Sequence, residues 1–69
     1  MPRTVKNNLK KIREDLLMSK SEIAREADVS VLTINRIEMG MSCRVSTKRK
    51  IILALGLNLK EKEKVFPGG

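Results

Sequence analysis

Apolar residues recur along this chain at helical spacing. Val5, Leu9, Ile12 and Leu16 step by four, three and four, which predicts a first helix with that face buried. Ser19 stands three residues before Glu22, the spacing of a capping box, and opens a second helix whose inner face is Ile23, Ala24 and Ala27. Asp28 and Val29 break the pattern. Ser30 then offers a second N-cap, and Ile34 and Ile37 form the inner face of a third helix stopped at Gly40. Met41 to Val45 reads as a loop. Ser46 or Thr47 is expected to cap a fourth helix that runs through Leu55, buries Ile51, Ile52 and Leu55, and ends at Gly56. Asn58 and Glu61 form another capping-box pair, so a short fifth helix should follow and stop before Pro67. No stretch alternates for long enough to favour a sheet, so the expected fold is all-α, a compact bundle of five helices.

Composition narrows the picture. With 69 residues there is room for one domain. Phe66 is the only aromatic residue, so the core must be built from aliphatic side chains and Met, which suits short packed helices. Lys and Arg total 15 against 8 acidic residues, a formal charge of +7 that points to a polyanionic partner. A single cysteine excludes an internal disulfide, and the absence of His leaves no credible zinc ligands. No apolar run is long enough for a signal peptide or a membrane span. The expectation is a cytoplasmic protein that meets nucleic acid rather than lipid. No phosphate-cradling loop or carboxylate pocket suggests an enzyme, a cofactor or a small-molecule ligand.

The second and third helices are separated by only three or four residues. So tight a connection cannot turn the chain antiparallel, and the helices must cross steeply with the later one projecting. Ala24 and Ala27 permit close approach, and Val29 can plug the gap between them. The third helix, tied down by Ile34 and Ile37, turns its other side outward. This is the geometry that places a helix in the major groove of DNA.

The runs Leu9-Lys-Lys-Ile-Arg13, Met18-Ser-Lys-Ser-Glu-Ile-Ala24, Ala27-Asp-Val-Ser30 and Thr33-Ile-Asn-Arg-Ile-Glu-Met-Gly40 resemble the phage repressor and Cro-like helix-turn-helix family. That family includes many bacterial transcriptional regulators and antitoxins. Ile51-Ile-Leu-Ala-Leu-Gly-Leu57 and Val65-Phe-Pro67 are similar to its last two helices, so the resemblance spans about residues 8 to 67. It implies a repressor-like domain over 1–69, with a helix-turn-helix core at 19–40 and 67–69 as a tail or the start of a linker. It also implies a homodimer on double-stranded DNA.

Carried residue by residue, the resemblance puts Val31, Leu32 and Thr33 in the first turn of the reading helix, facing base edges. Polar residues are common at the first two positions. Here Val31 and Leu32 would touch thymine methyl groups, or else pack sideways against the core or a partner. Asn35 suits adenine, and Arg36 suits guanine or a phosphate. Lys20, Ser30, Arg44 and Lys48 are candidate phosphate contacts, and the segment from Met41 to Lys50 holds four cations and no acid. Arg13 and Glu38 match positions that form a structural ion pair. Cys43 beside Arg44 could be a redox-sensitive thiolate or simply an incidental loop residue. Leu53, Met39 and Met41 are either partner surface or scattered exposed side chains. Outside the leading reading, a repressor, stand an antitoxin that also binds a toxin and a protein-interaction module that has lost DNA readout.

Overall fold

The computed structural model describes residues 7–67, which form five α-helices and one 3-10 turn. In chain order these are α1 (Leu9–Asp15), α2 (Lys20–Ala27), α3 (Val31–Glu38), α4 (Val45–Ala54), the 3-10 turn Leu59–Glu61 and α5 (Lys62–Val65). No strand occurs among the described residues. Val5, expected on the first helix, lies outside them, as do Gly68 and Gly69.

Side-chain caps set three of the starts. The Ser19 hydroxyl accepts the Glu22 N–H at 3.0 Å, while the Ser19 N–H reaches the Glu22 carboxylate at 3.4 Å, completing the capping box on α2. Ser30 caps α3 by accepting the Thr33 N–H at 3.1 Å. Asn58 and Glu61 form the second box, but it opens the 3-10 turn before α5 rather than a continuous fifth helix. The Glu61 carboxyl is held below its usual range, first by the Lys64 hydrogen bond and then by the Asn58 backbone.

α4 departs from expectation. It begins at Val45 with Arg44 as N-cap residue and no side-chain cap, so neither Ser46 nor Thr47 serves as the cap. Cys43, just before that first turn, packs against the core. Burial pushes its thiol up from the ordinary 9.0, with Lys48 acting in the opposite sense to a lesser degree. Of the two readings of Cys43, desolvation that outweighs the charge of Lys48 favours the incidental loop residue over the cation-favoured thiolate.

The four longer helices end alike. After each, one residue takes a left-handed backbone: Leu17 at φ 59°, Asp28 at 58°, Gly40 at 94° and Gly56 at 81°. The next N–H then reaches back over the last turn, from Met18 to Arg13, Val29 to Ala24, Met41 to Arg36 and Leu57 to Ile52. These are Schellman closures, in which glycine is the usual left-handed residue. The closure at Leu17 ends α1 at Asp15, which corrects the expectation for Leu16. That side chain is 49% exposed instead of buried, because the helix face it would continue has already been broken off.

The core gathers Leu9, Ile23, Ile34, Ile37, Ile51 and Val65, all fully buried, with Ala24 and Ala27 where α2 meets its neighbours. α2 packs against both α3 and α4. Val29 plugs the turn, and Phe66 closes the far side. The start of α1 is tied to distant parts of the chain. The Asn8 N–H donates to the Val65 carbonyl at 2.7 Å, the Asn8 amide to Lys64 at 2.9 Å, and the Asn7 amide to Ile37 at 2.8 Å. No helix among the described residues is long and apolar enough to cross a membrane.

Candidate nucleic-acid interface

Three residues, Asp28 to Ser30, connect α2 to α3. The left-handed Asp28 turns the chain sharply, a conformation Asp adopts more readily than bulky residues do. Ile34 and Ile37 then bind α3 to the core, each burial worth about 1.5–3 kcal/mol. With that face fixed, the opposite one must project. Val31 is 43% and Leu32 58% exposed, and Arg36 is exposed beside them.

The remaining expected contacts are placed differently. Thr33 is half-buried, with its hydroxyl 2.9 Å from that of Ser30. The Ser30 oxygen is thus already engaged as the cap of α3. Asn35, half-buried one turn after Val31, accepts at its Oδ1 a 2.7 Å hydrogen bond from Nζ of Lys20, the first residue of α2. Its amide nitrogen leans toward Met39 Sδ at 3.7 Å. Arg44 is exposed in front of α4. Lys48 is half-buried, and its ammonium sits 5.5 Å from the centre of the Phe66 ring. Val31, Leu32, Asn35 and Arg36 thus lie along the outward side of α3, with Lys20 reaching Asn35 from α2, whereas Lys48 leans toward α5.

Behind this surface lies a buried ion pair. Arg13 Nε donates to Glu38 Oε2 at 2.7 Å and Nη2 to Oε1 at 3.3 Å, while Nη1 donates to the Met18 carbonyl at 2.8 Å. The pair joins α1 to the end of α3, and the Glu38 hydrogen bond raises the Arg13 pKa against the opposing effect of burial. Lys20 Nζ stands 4.0 Å from Glu38 Oε1. Two partners in this network escape sequence reasoning: the Met18 carbonyl, which is backbone, and Asn35, whose partner is fifteen positions away.

The Cro/C1-type helix-turn-helix family model, describing a DNA-binding regulatory domain, matches residues 9–62. Comparison with curated proteins gives no match. The matched span takes in α1 to α4 and the 3-10 turn, and so the whole projecting surface. An all-α domain with this geometry and this match belongs to the Cro/C1-type helix-turn-helix family of DNA-binding regulators.

Proposed function

We propose that the chain is a sequence-specific, homodimeric transcriptional regulator acting as a repressor on a palindromic operator. The observation that carries this reading is the outward face of α3, where Val31, Leu32 and Arg36 project from a helix locked by Ile34 and Ile37. Arg36 would read guanine or clamp a phosphate, and the two apolar side chains would meet thymine methyl groups. Thr33 would join them at the edge of the groove. Lys20, Ser30 and Arg44 would hold the phosphate backbone, with Lys48 joining if its ammonium leaves Phe66. A second copy would cover the exposed Val45 and Leu59, which flank a groove floored by Ile52 and Phe66. Two reading helices would then enter successive major grooves about 34 Å apart.

The exposed Val31 and Leu32 also favour a second reading, a protein-interaction module on the same fold. Selection of duplex DNA from a random pool, followed by sizing of the complex, separates the two. An enriched palindrome bound by two chains supports the regulator. Equal affinity for every duplex, unchanged in Arg36→Ala, would overturn it and leave the interaction module.

A further inference from the structure

We propose that Asn35 is a positioning residue for Lys20 rather than a reader of bases. Together with Arg13 and Glu38, these residues form one unit that holds a surplus positive charge beside the reading helix. The inference rests on the regulator reading above and adds to it how one phosphate contact is prepared.

The charges decide the first step. Glu38 is the only acid at the centre of the unit, and its side chain is 5% exposed. Arg13 grips both of its oxygens, and Lys20 approaches one of them at 4.0 Å. Glu14 also comes within 4.0 Å of Arg13, but it is largely exposed, where water screens such a contact. Two cations on one buried carboxylate leave one positive charge uncompensated. Because Arg13 is buried and Lys20 is 40% exposed, that charge is available at Lys20.

Hydrogen-bond supply decides the second step. An ammonium has three N–H donors. Asn35 Oδ1 takes one at 2.7 Å, and Glu38 at 4.0 Å is too far to take another by a hydrogen bond, so donors are left for an acceptor outside the protein. A lysine held in this way has already lost part of the side-chain freedom that a free one gives up on binding. Asn35, for its part, is engaged within the protein. Pairing with adenine needs its oxygen and nitrogen presented together, and its oxygen is held by a charge-assisted bond to Lys20. The nitrogen faces Met39 on the same helix.

The test uses the selected duplex and its single-base variants, with thermal melting to verify that each protein variant folds. A wild-type chain that selects no duplex removes the regulator reading itself, before any variant is compared. With a duplex in hand, Lys20→Met should lower the slope of log K against log[salt] by about 0.9. Asn35→Ala should weaken all duplexes alike by about threefold, leave every base preference intact, and have no further effect when added to Lys20→Met. Asn35→Asp retains an acceptor for Lys20 but neutralises the surplus charge, so it should lower the salt slope as Lys20→Met does, again without changing base preference. A preference lost at one base pair in Asn35→Ala would overturn the proposal. So would a switch from adenine to cytosine in Asn35→Asp, or an Asn35→Ala loss that persists beside Lys20→Met.

Discussion

Replacing Leu17 by glycine should stabilise the domain, although it removes a large apolar side chain. Leu17 has φ 59° in the closure of α1, a conformation that costs an L-residue about 1–2 kcal/mol relative to glycine. Its side chain is 90% exposed, so trimming it gives up almost no burial. Against the relief of strain stands the greater freedom of glycine in the unfolded chain, about 0.5–1 kcal/mol. The difference spans about 0–1.5 kcal/mol and centres on about 0.75 kcal/mol, which is roughly 3–6 °C in Tm for a domain of this size. Thermal and urea unfolding followed by circular dichroism would measure it. Leu17→Ala is the control: it removes the side chain but keeps the strained backbone, so its stability should stay within about 0.5 kcal/mol of the parent. Equal behaviour of the glycine and alanine variants would refute the reasoning by showing no strain to relieve, and a loss of stability in both would show that the leucine side chain makes a contact worth more than the strain.

Two further predictions concern buried groups. Glu38→Ala leaves the Arg13 guanidinium buried without its partner and should cost about 3–5 kcal/mol, close to the whole stability of so short a chain; a cooperative melt within a few degrees of the parent would contradict this. Cys43 supplies a pH dependence. Its thiol pKa is raised by folding, so its contribution is fully present below 9.0 and is lost as pH rises above that value, where the unfolded chain ionises first. Between about pH 8 and pH 10 the urea midpoint should fall further in the parent than in Cys43→Ala, and parallel losses would show that the thiol is not desolvated.

What could be read from the sequence was what local chemistry decides. Ser19 and Glu22, or Asn58 and Glu61, stand three residues apart, so the partners of each capping box can be seen together without knowing the fold. Ile23, Ile34 and Ile37 fall on inner faces because a single helical period governs them. The outward position of Leu53 follows from the same period. Leu16 escapes that logic, since periodicity counts apolar residues and cannot see the backbone reverse at Leu17. The start of α4 at Val45 has no side-chain cap, so no cap residue in the sequence announces it. The largest gap is at the interface. Asn35 carries the chemistry of an adenine reader, yet the lysine that engages it lies on another helix, and only the crossing of α2 and α3 brings them together.

The hydrogen bonds from Asn8 to Lys64 and Val65 have a consequence for the order in which the domain assembles. They join points almost a full chain length apart, so closing them encloses the longest loop the described residues contain. Loop-closure entropy opposes such contacts until other structure has shortened the effective path. The helix-turn-helix, built from neighbouring segments, can form while α1 and α5 are still apart. Folding would then finish at the Asn8 clasp, and unfolding would begin there. Amide exchange at Asn8 should therefore report an early, partial opening in which α5 leaves α1 while the reading helix stays in place.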